Sequence, residues 1–359
     1  MQELRQFFNQ IKQRVSAGGN NTATITSNGT LYTWGSGYYG QLGTGTRENS
    51  LLPVAIDLQG PALMVSVSGY HTASVTRNGT LYTWGYGANG QLGTGTRKDS
   101  LVPVPVDLRT PVVMVSAGGN HTAAVTVDGQ IYMWGYGRYG QLGTGTMEDS
   151  LVPVAIDLEE PVLMVSAGGL HTSAVTVNGQ VYTWGYGDHG QLGTGTREGS
   201  LVPVAVNLQV PVLMVSAGTA YTAAVTYNGT LYTWGAGYYG QLGTGTMENS
   251  LVPVVIDLGA PVLMVSAGGS HTAAVTRDGT LYTWGDGVHG QVGTMKTSLV
   301  PVVIDLGDPV LMASAGGSHT AAVTRDGTLY MWGTGSDGQL GTGTREDSLG
   351  PVRINLSYN

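Results

Sequence analysis

The chain repeats one phrase about every fifty residues. Seven tryptophans mark the phrase, and they stand at Trp34, Trp84, Trp134, Trp184, Trp234, Trp284 and Trp332. The last interval is shorter because residues 290–302 lack two residues that residues 240–254 contain. Self-similarity at such a period is typical of solenoids, propellers and arrays, in which each repeat is one supersecondary unit. We therefore expect one repeat domain, although 359 residues would otherwise suggest two domains.

Each repeat contains four candidate β-strands. Three of them are "PVLMVSAG" (261–268), "HTAAVT" (271–276) and "TLYTWG" (280–285), and "PVVIDL" (253–258) represents the fourth. An Asx-Gly dipeptide between the second and third segments is a strong hairpin signal, because both turn residues need positive φ. Proline at the first position of the fourth segment loses no ladder hydrogen bond there. No segment of the repeats shows helical periodicity.

Four antiparallel strands in each of seven repeats predict an all-β fold, a seven-bladed β-propeller over residues 15–356. A closed ring is favoured because an open stack would need polar capping repeats. Residues 1–14 are predicted to form a short amphipathic helix, with Leu4, Phe7, Phe8 and Ile11 on one face. This helix either docks on the ring or binds a partner or second ring. Residues 357–359 form a tail.

The assignment of strands to blades has two solutions. The link at Gln59-Gly60 is short, whereas the link from "TWG" to the next "PV" is long. A short link favours a hairpin within one blade, and residues 351–356 would then close the ring beside the first repeat. The alternative places the long link within the blade.

The segment "VSAGGxHTAAVTxDGTLYTWGxGxxGQLGTG" resembles the repeat of the regulator-of-chromosome-condensation family over about residues 15–356. The resemblance implies a seven-bladed propeller. It does not imply one activity, since similar propellers act as exchange factors for the small GTPase Ran, as a plant ultraviolet-B photoreceptor, as β-lactamase inhibitors and as adaptors. The chain lacks the photoreceptor's Trp and Arg between Gly and His. It also lacks the inserted wedge and basic tail of the exchange factor.

Comparison of the repeats identifies the variable positions. Because strand directions alternate and each unit has an even number of strands, the "GGxHT" and "WGxGxxGQLG" loops are predicted to share one face. Their variable positions are rich in residues that are common in recognition surfaces. The candidate partner-binding residues are Tyr38, Tyr39, Tyr70, Tyr86, Arg138, Tyr139, His189, Tyr238, Tyr239 and His289. The alternative is that these side chains only pack onto neighbouring blades.

The repeated tryptophans and histidines are predicted to be structural. One tryptophan per blade at a fixed position suggests packing between blades, with each indole N–H bonded. The repeated histidines are His71, His121, His171, His271 and His319. Ligands for one metal ion must converge, whereas equivalent positions diverge around a ring, so we expect inter-blade hydrogen bonds. No catalytic residues, metal site or cofactor are predicted.

Composition and net charge exclude some classes of binding partner. The net charge is −8 with three lysines, so direct nucleic-acid binding is not expected. No apolar run is long enough for a membrane span, and a soluble, intracellular monomer is expected. The leading hypothesis is a non-catalytic scaffold that binds a protein partner through the tyrosine-rich face. The alternatives are a guanine-nucleotide exchange factor, and a designed or recently amplified ring without an evolved partner.

Overall fold

Each repeat folds into one four-stranded antiparallel sheet, and seven such sheets form a closed ring of blades. The computed structural model describes residues 14–356, and this part of the chain confirms the predicted seven-bladed propeller. The helix predicted over residues 1–14 falls almost wholly outside the described residues, as does the tail at 357–359.

The strands of each blade follow the order inner, second, third and outer, both along the chain and across the sheet. Blade 1 contains Val15–Ala17, Asn21–Ile25, Leu31–Gly35 and Ser50–Ile56, and blade 2 contains Ala62–Val67, His71–Thr76, Leu81–Gly85 and Ser100–Val106. Blade 3 contains Val112–Ala117, His121–Thr126, Ile131–Gly135 and Ser150–Ile156, and blade 4 contains Val162–Ala167, His171–Thr176, Val181–Gly185 and Ser200–Val206. Blades 5, 6 and 7 contain Val212–Ala217, Tyr221–Thr226, Leu231–Gly235, Ser250–Ile256; Val262–Ala267, His271–Thr276, Leu281–Gly285, Ser298–Ile304; and Val310–Ala315, His319–Thr324, Leu329–Gly333, Ser348–Ile354.

The Asx-Gly dipeptides form the tight turns between second and third strands. Gly279 has a φ of 98°, and its N–H donates to the carbonyl of Thr276 at 3.0 Å. The prediction of positive φ at both turn residues was wrong, since only the glycine of each dipeptide has it. The reason is that the loop has three residues, 277–279, of which only the last is left-handed. The carboxylate of Asp278 accepts a hydrogen bond from the Thr280 N–H at 3.2 Å. These bonds fix the hairpin register, in which His271 lies opposite Gly285.

The structure adopts the strand assignment that the short link argued against. The long segment 36–49 joins the third and outer strands of one blade, and residues 57–61 join that outer strand to the inner strand of the next blade. Five residues can extend about 16 Å. Three strand spacings of about 4.8 Å need about 14 Å, so a short link does not require a hairpin. Residues 351–354 accordingly lie in the outer strand of blade 7 and do not join the first repeat.

The proline that recurs in the outer strands also lies at a different strand position from the one predicted. Pro53 is the fourth residue of the outer strand Ser50–Ile56, not its first. The pairing of the outer strand with the third strand shifts register between Thr33 and Gly35. A proline within an edge strand removes a backbone donor that a second sheet would otherwise pair with. The outer rim of the ring is therefore protected against edge-to-edge association.

Each junction between neighbouring blades is built around one backbone carbonyl. The carbonyl of Gln41 in blade 1 accepts hydrogen bonds from Trp84 Nε1 at 2.9 Å and from Thr72 Oγ1 at 2.7 Å, both in blade 2. The same two bonds recur at the other six junctions. All seven indoles are fully buried. An unpaired buried indole would be costly, so this carbonyl secures the packing of the largest core side chain.

The repeated histidines form a second inter-blade hydrogen bond. His71 Nε2 lies 2.7 Å from Thr122 Oγ1 of the next blade, and the other four repeated histidines make the equivalent contact. Because the Thr122 hydroxyl donates its one hydrogen to the carbonyl of Gln91, it must accept from the histidine. The histidines therefore carry a proton on Nε2, and they are neutral because burial lowers their pKa. In blade 5, Tyr221 takes this place and its hydroxyl lies 2.8 Å from Thr272 Oγ1.

A belt of serines joins the inner strands around the axis. Ser66 Oγ accepts a hydrogen bond from the Ala117 N–H of the next blade at 3.0 Å, and every junction has an equivalent bond. The belt includes the closing junction, where the Ala17 N–H donates to Ser314 Oγ at 2.9 Å. Trp34 Nε1 also donates across this junction to the carbonyl of Gln339 at 2.8 Å. The two ends of the ring are thus held by the same bonds that hold internal blades.

The two-residue deletion in the sixth repeat removes one inter-blade bond. The long loop of blade 1 reaches over blade 2, where the Gly45 N–H donates to the carbonyl of Leu101 at 2.9 Å. Five other junctions, including the closing one, have this bond. Among the described residues, the shortened loop of blade 6 makes no such bond to blade 7. The junction of blades 6 and 7 therefore lacks an inter-blade bond that the six other junctions have.

We predict that stability falls as the pH decreases below about 6.5. Burial lowers the pKa of His71, His121 and His271 to about 3, and that of His171 and His319 to about 4. Below the unfolded value of about 6.5, the unfolded chain binds protons that the folded chain does not. Each such histidine then lowers the folded-to-unfolded ratio about tenfold per pH unit. The stability that depends on the neutral state of these five histidines is fully present above pH 6.5. It is lost progressively towards pH 4 to 3.

Urea unfolding between pH 7.5 and pH 5 measures this slope. The matched variant is His121→Tyr, which copies Tyr221 of blade 5 and should reduce the proton uptake on unfolding by about one. A stability that is independent of pH down to 5, or an unchanged slope in the variant, would contradict the account.

Restoring the missing residues should strengthen the junction of blades 6 and 7. Insertion of Gly-Thr after Thr294 recreates the loop sequence of the other repeats and with it the bond to the carbonyl of Leu349. The expected gain is about 1 kcal/mol in the free energy of unfolding, measured with urea. The control is the same insertion after Thr94, in a loop that is already complete, which should be neutral or destabilising. Equal effects of the two insertions would refute the assignment.

Candidate functional site

The long loops present two variable residues at a fixed place on the ring. In blade 1, the Gly40 N–H donates to the carbonyl of Gly37, and the Tyr39 N–H donates to Gln41 Oε1 at 2.8 Å. Gly43 has a φ of 77°, and a Cβ at this position would lie 2.8 Å from the indole of Trp84. These contacts explain why the glycines and the glutamine recur in every repeat. The side chains of the pair before Gly40 take no part in this framework, so the identity of these two residues is free to vary.

The loops that were predicted to share one face do meet there. The Ser36 N–H after the third strand of blade 1 donates to the carbonyl of Asn20 between its inner and second strands at 2.8 Å. Gln41 Nε2 donates to the carbonyl of Gly69 in the next blade at 3.2 Å. We call this surface the loop face, formed by residues 18–20 and 36–49 of blade 1 and their equivalents in the other blades.

A first group of tyrosines lies where blades 1 and 2 meet. The ring centroid of Tyr39 is 5.4 Å from Tyr70 and 5.2 Å from Tyr86, in both cases with an edge-to-face geometry. Tyr38 lies 6.4 Å from Tyr39 and is 72% exposed. We call Tyr38, Tyr39, Tyr70 and Tyr86 the first aromatic arc. Mutual packing holds the rings in place, so a partner that binds them loses little side-chain entropy.

A second aromatic arc crosses blades 3, 4 and 5. Its members are Tyr136, Tyr139, Tyr186, His189 and Tyr238, with neighbouring centroids 5.2 to 6.1 Å apart. Hydrogen bonds also fix its members. The hydroxyl of Tyr186 donates to Asp188 Oδ2 at 2.7 Å, and this bond raises the pKa of Tyr186. The hydroxyl of Tyr238 lies 3.3 Å from His189 Nδ1 and accepts from Asn249 Nδ2 at 2.9 Å.

Three of the predicted residues lie outside both arcs. Arg138 is exposed beside Tyr139 in the loop of blade 3. Tyr239 is 49% exposed next to Tyr238. His289 in blade 6 lies 3.9 Å from Asp347 Oδ2. All three belong to the loop face, but the structure joins none of them to the aromatic packing.

Polar side chains separate the two arcs and also lie where blade 7 meets blade 1. Asn89 Nδ2 donates to Asn120 Oδ1 at 3.3 Å between the arcs. At the closing junction, Asp337 accepts hydrogen bonds from Asn20 at 2.9 Å and from Asn49 at 3.1 Å. The aromatic sector of the loop face thus spans blades 1 to 5, whereas the loops of blades 6 and 7 carry no tyrosine and expose Val288 and Met295 beside polar side chains.

Two sets of residues on this face were not predicted from the sequence. Methionine replaces arginine after "GTGT" in repeats 3 and 5, and Met147 and Met247 are more than half exposed. Met295 of the shortened loop is also exposed. Exposed methionines are frequent in adaptable binding surfaces. The second set consists of exposed glutamates, described below. Comparison of the letters after "GTGT" across the repeats would have identified both sets.

Within residues 14–356, no group of three or more potential metal ligands lies close enough together to hold a metal ion. No helix in this part of the chain is long and apolar enough to cross a membrane.

The repeats and their junctions define a propeller built from tandem glycine-rich blades, and family comparisons agree. A family model described as "RCC1-like domain" matches residues 61–359. Models of the "Regulator of chromosome condensation (RCC1) repeat" match residues 28–75 and 11–41. The chain therefore belongs to the RCC1-like domain family.

Among curated proteins, the chain is similar to short parts of larger relatives. It is 39% identical to the ultraviolet-B receptor UVR8 of Arabidopsis thaliana over 59 residues, which is 16% of this chain and 13% of the receptor. It is 49% identical to the human E3 ubiquitin-protein ligase HERC2 over 47 residues, which is 13% of this chain and 1% of the ligase. The matched stretches thus span only a small part of each relative.

Solved structures share the whole ring. Human WBSCR16 superposes with a TM-score of 0.84 at 26% identity, covering 91% of this chain and 94% of that structure. Yeast RCC1 (Prp20), solved bound to Kap60, also has a TM-score of 0.84, at 20% identity, covering 99% of this chain and 87% of that one. The second likeness shows the fold alone.

We predict different stability costs for neighbouring tyrosines of the first arc. Tyr39→Ala should lower the free energy of unfolding by about 1–2 kcal/mol, because it removes two edge-to-face contacts. Tyr38→Ala should change it by less than about 0.5 kcal/mol, since that ring is mostly exposed. Urea unfolding of both variants measures the difference. Equal costs would show that the arc is not a packed cluster.

Proposed function

We propose that the protein is a non-catalytic interaction module that binds a protein partner through the aromatic sector of its loop face. The observation that carries the proposal is the concentration of exposed, mutually packed aromatic rings on one side of the ring. Tyr38, Tyr238 and Tyr239 are 72%, 51% and 49% exposed, and each stands at a position that the blade framework leaves free.

The physical chemistry of these residues supports protein recognition. Tyrosine offers a large amphipathic surface with few rotatable bonds, and such side chains dominate binding hot spots. The exposed thioethers of Met147 and Met247 lie on the same face and add adaptable apolar surface. The rings are already ordered by their neighbours, which reduces the entropic cost of association.

Similar structures also favour protein partners. Yeast RCC1 (Prp20) was solved bound to Kap60, and the structure of Prp20p from Saccharomyces cerevisiae was described together with its binding properties to Gsp1p and histones. Their identity to this chain is 20% and 21%, so no particular partner is transferred.

The test compares partner binding with and without the exposed tyrosines. Proteins retained from an extract of the source organism by the immobilised chain are identified by mass spectrometry, and the affinity of the purified partner is then measured. The quadruple variant Tyr38→Ala, Tyr139→Ala, Tyr238→Ala and Tyr239→Ala should weaken binding at least about thirtyfold, as expected for loss of hot-spot residues. Tyr39 is left intact because it holds the first arc together.

The control is Tyr227→Ala, which removes a partly exposed tyrosine from an Asx-Gly turn on the opposite face. It should leave the affinity unchanged. Undiminished binding by the quadruple variant would place the binding surface elsewhere. Accelerated nucleotide release in a panel of small GTPases would replace the proposal with exchange activity.

A further inference from the structure

Exposed glutamates recur at one position of the long loops of the loop face, and we call them the glutamate ring. Five repeats carry glutamate at the same exposed position of the long loop, directly after the arginine or methionine that follows "GTGT". These residues are Glu48, Glu148, Glu198, Glu248 and Glu346. Within the described residues, none of them lies within 4 Å of a lysine, arginine or histidine nitrogen. Their charges are therefore not neutralised by ion pairs inside the molecule.

The arginines that follow "GTGT" contact the ring itself, whereas Arg138 is exposed and exposed Lys98 and Lys296 take the place of the glutamate in repeats 2 and 6. Arg47 donates to the carbonyl of Tyr38 at 3.1 Å and to Asp99 of the next blade at 2.8 Å. Arg97 repeats this arrangement with Ala88 and Asp149. The arginines of blades 4 and 7 also fold back onto backbone carbonyls of their own loops. These four arginines are thus engaged with groups of their own ring. The five glutamates and Asp188 outnumber the three remaining exposed cations of the same loops, so the loop face keeps an excess of negative charge.

The arrangement fits one chemical class of partner. A protein segment rich in arginine offers planar guanidinium groups that stack on tyrosine faces and pair with carboxylates. An acidic segment would meet five unneutralised glutamates around the tyrosines, and like charges in an interface are costly. Asp188, bonded to Tyr186 in the second arc, adds a further exposed carboxylate among the rings.

We propose that the loop face binds an arginine-rich protein segment, with the aromatic arcs as the stacking surface and the glutamate ring as its counter-charge. This inference rests on the proposed function and names the chemistry of the partner.

The probe is a fluorescently labelled oligo-arginine peptide, with oligo-lysine and oligo-glutamate peptides for comparison, measured by anisotropy with the full chain. At an ionic strength of about 0.05 M, the arginine peptide should bind more tightly than the lysine peptide, and the glutamate peptide should not bind. Equal affinity for arginine and lysine peptides would overturn the stacking role of the tyrosines.

Two variants of equal net charge decide whether the site is the loop face. The loop-face variant is Glu148→Gln, Glu198→Gln and Glu248→Gln. The opposite-face variant is Glu159→Gln, Glu160→Gln and Asp308→Asn, which changes three exposed acids in the links between blades. The loop-face variant should weaken arginine-peptide binding at least about tenfold, and the opposite-face variant by less than about twofold. Equal weakening would show that only net charge matters and would overturn the proposal.

The two proposals fail in different ways. If the native partner loses affinity for the tyrosine variant but not for the loop-face glutamate variant, the interaction face stands and the arginine-rich partner is refuted. If the native partner ignores both variants, both proposals are refuted.

Discussion

The backbone carbonyl of Gln41 and its six equivalents are the groups on which the ring depends. Each accepts a tryptophan N–H and a threonine hydroxyl from the next blade, so it fixes both the largest core side chain and the second strand of its neighbour. A carbonyl can serve two donors only if the loop that carries it keeps one conformation. That requirement explains the repeated Gly-Gln-Leu-Gly, whose second glycine also lies against the indole. The high sequence similarity of the repeats is therefore required by the junctions between blades rather than by the blades themselves.

The proposed binding surface lies where this constraint ends. The two residues before Gly40 and the residue before the second strand make no contribution to the junction bonds, and they hold Tyr38, Tyr39 and Tyr70 of the first arc. Tyr86 stands directly after the third strand of its blade. A ring with near-identical blades thus presents an uneven surface, with tyrosines over five blades and none over the remaining two. The glutamates after "GTGT" occupy a further free position along the same loop. One loop design supplies the framework and, as proposed, the stacking surface and the charge.

The sequence was sufficient for the fold because its main signals are local. The Asx-Gly turns, the tryptophan period and strand parity led to seven four-stranded blades with both loop types on one face, and the structure has this arrangement. The strand assignment was wrong because the length of the link at Gln59-Gly60 does not distinguish a hairpin from a step between blades. The serine belt was not foreseen, since a serine beside an alanine carries no signal until the neighbouring strand is known. Whether a tyrosine packs or projects likewise depends on the next blade, as Tyr39 and Tyr38 show.

The closing junction has a consequence for how such a ring can evolve. Ala17 and Ser314, Trp34 and Gln339 make across the chain ends the bonds that other blades make within the chain. Within residues 14–356, no strand is exchanged between the first and last repeats, so the packing of this part of the chain treats the closing junction like any other. A circularly permuted gene that began at another blade boundary would specify the same ring. The fold therefore tolerates a change in the order of the repeats. Such a change would alter the order of the loop residues around the ring and so the pattern of the surface.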